Sequence, residues 1–140
     1  MIEGSCLCGA VAYRADAFTS PIGHCHCRTC RKAHSAAYAT TARVARAGFA
    51  WTRGADTVAN IESSPGKLRH FCPKCGSHLM AEWVTMDQVI LRVGSIDSDF
   101  PERPVVHIWA SQRAPWDDLA DDPDAQLPRL PEGAPAKETK

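Results

Sequence analysis

Cys72-Pro73-Lys74-Cys75-Gly76 is the segment from which the architecture of this chain is best inferred. Two cysteines separated by two residues and followed by glycine have the form of a zinc knuckle. Both thiolates reach one metal ion, and the glycine lets the turn bend without a Cβ clash. A knuckle supplies two ligands, whereas a closed tetrahedral site needs four. The segment therefore predicts a second pair of ligands elsewhere in the chain.

The matching pair lies near the N-terminus, in Cys6-Leu7-Cys8-Gly9, where two further cysteines precede a glycine. Closing the loop from Cys8 to Cys72 costs on the order of 4 kcal/mol of chain entropy. Structural zinc binding contributes on the order of 10–16 kcal/mol and exceeds that cost. We therefore predict one structural zinc ion that ties the start of the chain to its middle. Its four predicted ligands are Cys6, Cys8, Cys72 and Cys75.

The remaining three of the seven cysteines lie together in Cys25-His26-Cys27-Arg28-Thr29-Cys30. Three protein ligands with one exchangeable position are typical of a catalytic zinc site. This cluster therefore predicts a second, labile zinc ion. Its predicted ligands are Cys25, Cys27 and Cys30.

Other interpretations of the cysteines remain open. A histidine beside the middle cluster could complete a second structural site, and the candidates are His24, His26 and His34. His26 would point away from the cysteines on either side of it if the segment is extended, while His24 and His34 could reach. Free buried thiols are another possibility, as is a redox Cys-x-x-Cys pair, although the βαβ context of that motif is missing.

The composition limits the class of protein. The chain has 140 residues, of which 44% are hydrophobic and 23% charged, which predicts one globular domain. Sixteen basic and sixteen acidic residues leave no excess charge to attract nucleic acid or an anionic membrane, so we expect neither as a partner. The sequence shows no signal peptide and no transmembrane stretch, so we expect a cytoplasmic protein whose thiols stay reduced. The oligomeric state is not predicted.

Short apolar runs rich in β-branched and aromatic residues, separated by turn-forming residues, predict a mostly β fold. The predicted strands cover residues 10–15, 36–44, 49–53, 58–62, 68–71, 78–84, 89–93 and 105–110. A short helical turn is expected within residues 27–37. The proline- and aspartate-rich composition from Ala114 onward predicts an extended or loosely docked tail. Residues 132–140 are predicted to be disordered.

The order and spacing of the three clusters resemble those of the family of glutathione-dependent formaldehyde-activating enzymes and centromere protein V. The similarity rests on Gly4-Ser5-Cys6-Leu7-Cys8-Gly9, on the middle cluster, and on Arg69-His70-Phe71-Cys72-Pro73-Lys74-Cys75-Gly76-Ser77. It continues through His107-Ile108-Trp109 and Ala114-Pro115-Trp116, so we expect residues 1–131 to form one such domain. The resemblance implies a single zinc-binding β domain similar to the Mss4 protein. It also implies a structural zinc on the outer two clusters and a glutathione-responsive zinc on the middle one.

The founding activity of that family joins glutathione to formaldehyde and gives S-(hydroxymethyl)glutathione. The resemblance therefore implies a carbon-sulfur lyase or synthase that acts on glutathione, or a similar thiol, and a small aldehyde. No residue is assigned as catalytic. The alternative is a non-enzymatic, zinc-stabilised module that binds glutathione or another protein, since similarity of fold does not decide function.

Glutathione carries two carboxylates, which arginine or lysine side chains would bind. Arg28 and Arg31 are the first candidates because they flank the middle cluster. Lys32, Arg69 and Arg113 are further candidates, and each is alternatively a solvated surface charge. Proton carriers are conceivable among the histidines, which are alternatively packed or surface residues. The histidines considered are His24, His26, His34 and His107.

Overall fold

The computed structural model describes residues 1–117, which form two β-sheets and one α-helix. The strands are β1 Ile2–Ser5, β2 Ala12–Ala15, β3 Ile22–Cys25, β4 Ala39–Ala45, β5 Ala50–Arg53, β6 Ala59–Ser64, β7 Lys67–Phe71, β8 His78–Trp83, β9 Gln88–Arg92 and β10 Pro104–Ile108. The helix α1 spans Arg28–His34, and single 3₁₀ turns occupy Arg46–Gly48, Val93–Ser95 and Ala110–Gln112. The predicted mostly β fold is confirmed. Across residues 1–117, no helix has the length and apolar character needed to cross a membrane.

The larger sheet has seven strands in the order β10-β3-β4-β9-β8-β7-β6, and the smaller has three in the order β1-β2-β5. Strands β6 to β9 form an antiparallel meander, as the turn residues between them predicted. Strand β10 instead pairs in parallel with β3, which places His107 opposite His24 and Ile108 opposite Cys25. This crossover brings a late part of the described chain beside the middle cysteine cluster.

Eight strands and the helix fall where the sequence predicted them, but β1 and β3 were missed. In β1 the buried position Gly4 carries no side chain, because a Cβ atom there would lie 2.4 Å from the ring of Tyr13. In β3 a buried glycine, Gly23, and a buried histidine, His24, interrupt the apolar pattern. Each strand has only one large apolar side chain, Ile2 in β1 and Ile22 in β3, so its composition does not resemble that of a strand.

The predicted tail begins within the ordered fold. Ala114 is fully buried, and its carbonyl oxygen accepts a hydrogen bond from the backbone N–H of Asp117 at 3.0 Å. The rest of the predicted domain, residues 118–131, lies outside the described residues. The segment predicted to be disordered, residues 132–140, also lies outside them.

The hydrophobic core lies between the two sheets and includes cysteines of both outer clusters. Tyr13 of β2 is 1% exposed and stacks on Phe49 at 5.6 Å, and its hydroxyl lies 2.8 Å from Ser95 Oγ. The buried members are Ile2, Cys6, Val11, Tyr13, Ala15, Val44, Cys72, Leu79, Met80, Val89 and Leu91. Because Cys6 and Cys72 belong to this set, the predicted metal ligands are also core residues.

The buried phenol of Tyr13 predicts a loss of stability at high pH. Burial raises the pKa of Tyr13 to about 12, so the folded state keeps a proton that the unfolded chain releases near pH 10. The stabilisation from this group is complete below about pH 10 and is lost as the pH rises toward about 12. The full difference corresponds to about 3 kcal/mol. We expect the stability of the wild type, relative to Tyr13→Phe, to fall between about pH 10 and about pH 12 in urea titrations. A difference that does not change with pH would contradict this account.

Candidate metal centres

Four cysteine sulfurs from the two outer clusters converge at one point. The Sγ atoms of Cys6, Cys8, Cys72 and Cys75 all lie within 4.8 Å of one another. The Cys6–Cys8 sulfurs are 3.6 Å apart and the Cys8–Cys72 sulfurs 3.8 Å apart. Four thiolates about 2.3 Å from a tetrahedral zinc are about 3.8 Å apart, whereas disulfide sulfurs are about 2 Å apart. All seven cysteines are free thiols, and this donor set fits a tetrahedral metal ion.

Two matching turns aim these thiols at the common point. Gly9 and Gly76 have φ angles of 76° and 79°, in the left-handed region that favours glycine. Each donates its backbone N–H to the carbonyl oxygen of the first cysteine in its turn, Cys6 at 2.9 Å and Cys72 at 2.7 Å. No atom lies within 4 Å of a Cβ placed on either glycine. Glycine is therefore favoured at both positions by the left-handed backbone conformation and not by a lack of room for a side chain.

Hydrogen-bond donors around this first site favour thiolate at Cys6 and Cys75. The backbone N–H of Val11 donates to Cys6 Sγ at 3.3 Å. The hydroxyl and backbone N–H of Ser77 lower the pKa of Cys75 to about 5. The same hydroxyl accepts the backbone N–H of Leu7 at 2.9 Å, so Ser77 also connects the two turns.

The middle cluster forms a second, separate group. Cys25 ends β3, Cys27 caps the N-terminus of α1, and Cys30 is buried on that helix. Cys27 Sγ accepts the backbone N–H of Cys30 at 3.4 Å. The three sulfurs lie within 4.8 Å of one another, and within residues 1–117 no histidine, aspartate or glutamate ligand atom belongs to the group. The structure thus brings together three ligands of the four that a closed site needs.

His26 points away from the thiols on either side of it. Its side chain is fully buried, with Nε2 2.8 Å from Nδ1 of His107 and Nδ1 3.6 Å from a carboxylate oxygen of Asp117. Burial and the neighbouring His107 lower the pKa of His26 to about 4, so this ring is neutral at physiological pH. The predicted outward orientation is correct, and His26 is a packed residue that joins β3 to β10 and to the segment after it.

The other two candidate histidines also have partners outside the middle cluster. His24 Nδ1 lies 3.0 Å from Thr40 Oγ1 on β4. The ring of His34 packs against that of His78 with centroids 4.7 Å apart. Neither ring belongs to the group of sulfurs, so the histidine-completed site is not found within residues 1–117.

Buried positive charges surround the middle cluster. Arg69 is 1% exposed, and both terminal nitrogens of its guanidinium lie 3.8 Å from Cys30 Sγ. Hydrogen bonds from the thiols of Cys25 and Cys27 lower the pKa of Cys30, and the charges of Arg92 and Arg69 lower it further. The electrostatic environment therefore favours thiolate at Cys30. Arg69 is therefore a buried charge and not the solvated surface charge considered as its alternative. The sequence pattern gave no indication of the buried Arg92.

The two arginines ranked first by sequence occupy helix α1. Arg28 is exposed, and its backbone N–H donates to Gln112 Oε1 at 3.0 Å. Arg31 is half-buried, and its Nε atom has no hydrogen-bond partner among residues 1–117. Lys32 and Arg113 are exposed. A role for Arg28 and Arg31 in binding glutathione stays a prediction.

The fold and the two groups of thiols define a small β protein able to hold two metal ions. Residues 1–112 match the family described as glutathione-dependent formaldehyde-activating enzyme. A Halomonas elongata protein named "Putative glutathione-dependent formaldehyde-activating enzyme" is 33% identical over 129 residues, covering 83% of this chain and 79% of that protein. The chain belongs to the family of glutathione-dependent formaldehyde-activating enzymes.

A solved structure shares the fold. The crystal structure of a Rhodobacter sphaeroides protein matches with a TM-score of 0.60 and 20% sequence identity. The match covers 71% of this chain and 91% of that one. At this level of identity the likeness concerns the fold alone.

Substitutions in the two cysteine groups should have opposite effects on folding. Cys72→Ser removes a ligand that is also a fully buried core residue, so we expect loss of metal and unfolding. Cys27→Ser is the matched control, because Cys27 lies outside the core set, and we expect it to fold. Circular dichroism and zinc analysis of both variants provide the measurement. A wild-type protein that is fully folded without zinc would rule out the structural role of the first site.

Proposed function

We propose that this protein is a zinc-dependent carbon-sulfur lyase or synthase that acts on the glutathione adduct of a small aldehyde. The observation that carries the proposal is the group formed by Cys25, Cys27 and Cys30, which has no fourth ligand within residues 1–117. The family of the chain is named for glutathione and formaldehyde, which supports the same chemistry. We further propose a cytoplasmic enzyme whose domain spans residues 1–131, with a structural zinc on the outer clusters.

A zinc ion bound by the three middle cysteines would supply a Lewis acid with one exchangeable position for sulfur or oxygen of the reactants. The chain itself supplies the charge balance. Three thiolates, one divalent cation and the guanidinium groups of Arg69 and Arg92 together leave one positive charge. A substrate thiolate would neutralise this remaining positive charge. Arg69 and Arg92 therefore favour the ionised form of an incoming thiol.

The reaction joins a thiol to an aldehyde without an oxidant or reductant. The sulfur attacks the carbonyl carbon, a carbon-sulfur bond forms, and the carbonyl π electrons move to oxygen, which takes up the proton released by the thiol. Complete ionisation of a thiol whose pKa is near 8.5 would accelerate the step by roughly 30-fold, or about 2 kcal/mol. Most of any larger acceleration must come from holding thiol and aldehyde together in the site.

Glutathione would approach along helix α1. Cys30 lies on this helix, and we propose that Arg28 and Arg31 on the same helix bind a carboxylate of glutathione. The exposed guanidinium of Arg28 and the half-buried one of Arg31 would pair with carboxylate through two parallel hydrogen bonds.

Substitution of a middle cysteine should separate catalysis from folding. We expect Cys27→Ser to reduce adduct formation from glutathione and formaldehyde to the uncatalysed rate, measured by NMR exchange spectroscopy. X-ray absorption during a glutathione titration should show a new sulfur ligand on zinc in the wild type and none in the variant. Retention of the zinc at the first site is the internal control for folding.

The outcomes distinguish the enzyme from a binding module. A Cys27→Ser variant as fast as the wild type would show that the middle cluster is not the catalytic centre. Glutathione binding that changes the zinc ligands without accelerating adduct formation would instead assign a carrier or binding role. A stable protein partner, with neither thiol binding nor turnover, would assign an interaction module.

A further inference from the structure

A cavity of about 610 Å³ opens between the first cysteine group and helix α1. Its size is that of a small-molecule site. One wall is continuous with the middle cluster, because His34 follows Cys30 by one helical turn and Ala39 pairs with Cys25 across β3 and β4. A ligand in the cavity therefore lies next to the elements that carry the middle thiols.

The cavity is lined by a buried arginine, Arg92, and two of its three guanidinium nitrogens lack hydrogen-bond partners within residues 1–117. Arg92, at the end of β9, is 5% exposed. Its Nε and Nη2 atoms have no hydrogen-bond partner within residues 1–117. Arginine stays charged in proteins, and a buried charge without a partner is strongly unfavourable. These two nitrogens therefore favour an anion that residues 1–117 do not supply at hydrogen-bond distance.

The nearby thiolates do not meet this requirement. Cys30 and Cys25 contribute electrostatic compensation to Arg92, but the contacts to Cys30 Sγ at 3.8 Å are made by Arg69. A divalent cation on the same thiolates would reduce that compensation further. Arg92 thus lines the cavity with its positive charge only partly compensated by the thiolates and with Nε and Nη2 free to donate to an anion.

Two histidines extend the set of unpaired donors and acceptors. His34 Nε2 and His78 Nδ1 are buried, lack partners within residues 1–117, and belong to rings that line the same cavity. Asp97 also lines it, and its carboxylate accepts a hydrogen bond from Ser5 Oγ at 2.6 Å. With neutral histidines, Arg92 and Asp97 give the part of the lining outside the first cysteine group one charge of each sign. Such a pair suits a zwitterionic amino-acid group better than a doubly charged anion.

We propose that this cavity binds the amino-acid end of the thiol substrate, with its α-carboxylate on the guanidinium of Arg92. His34 and His78 donate or accept the remaining hydrogen bonds, and Asp97 faces the ammonium group. The proposal rests on the proposed function in one respect: the sulfur of the same molecule must reach the middle cysteines. For glutathione, the occupant is the γ-glutamyl end.

The test uses thioethers, which bind without a metal–thiolate bond. S-methylglutathione and an analogue that lacks only the γ-glutamyl α-carboxylate are titrated into the zinc-loaded full chain by calorimetry. We expect the wild type to bind the analogue at least about tenfold more weakly, the loss typical of a charged hydrogen-bonded pair. In Arg92→Gln the two ligands should bind equally. Arg14→Gln, at an exposed arginine of β2, is the matched control and should bind both ligands as the wild type does.

A second measurement covers the case in which Arg92→Gln fails to fold. In the wild type, S-methylglutathione should shift the backbone NMR signals of Gly94 and Ser95, which line the cavity. Shifts confined to the exposed side of α1 around Arg28 would overturn the proposal, as would equal binding of both ligands by the wild type.

The result is separable from that of the proposed function. If S-methylglutathione binds in the cavity but the wild type does not accelerate adduct formation, the proposed reaction fails and the binding site stands. If adduct formation is accelerated equally by the wild type and Arg92→Gln, with unchanged affinity for S-methylglutathione, the reaction stands and the binding site is overturned.

Discussion

The convergence of four thiols from two distant turns is the constraint on which the rest of the fold depends. Cys6 and Cys72 are both ligand candidates and members of the hydrophobic core, so a metal ion held there would be coupled directly to core packing. Their meeting joins the small sheet, which begins with β1, to the meander, which contains β7 and β8.

The middle cluster differs from the outer group because buried arginine charges lie beside its thiols. Its three thiols lie beside two buried guanidinium groups instead of within a group of four sulfurs. Arg69 on β7 has a guanidinium nitrogen 3.8 Å from Cys30 Sγ, and Arg92 lies at the end of β9. Around it the histidines are packed against one another, and burial keeps His26 neutral. The outer group therefore offers the four ligands of a closed site, while the middle group lies beside buried positive charge and offers three within residues 1–117. Four protein ligands favour a rigid structural metal site, whereas three favour a site with one exchangeable ligand.

Cysteine spacing and apolar pattern were sufficient to predict the division into groups of four and three, most strands and helix α1. They were insufficient where burial is created by a neighbour: Gly23 is buried because Val106 lies within 2.8 Å of where its Cβ would be, which no local pattern reveals. Arg92 was missed for a related reason. It ends a strand of ordinary apolar composition, and its importance arises only when β4 pairs beside it, with Thr41 opposite, and α1 closes the cavity. The spacing of residues along one strand does not reveal which side chains they meet on the neighbouring strand.

The wide separation of Cys8 and Cys72, 64 residues along the chain, has a consequence for biogenesis. As the polypeptide leaves the ribosome, the first and middle clusters are both available long before the third has been synthesised. They are close in sequence, so a mixed set of four thiolates from these two clusters closes a shorter loop, favoured by about 1 kcal/mol of chain entropy. Early capture of a metal ion would thus trap a misligated intermediate. The full burial of Cys72 in the core would favour the predicted outer set of ligands over the mixed set, which lacks this stabilisation.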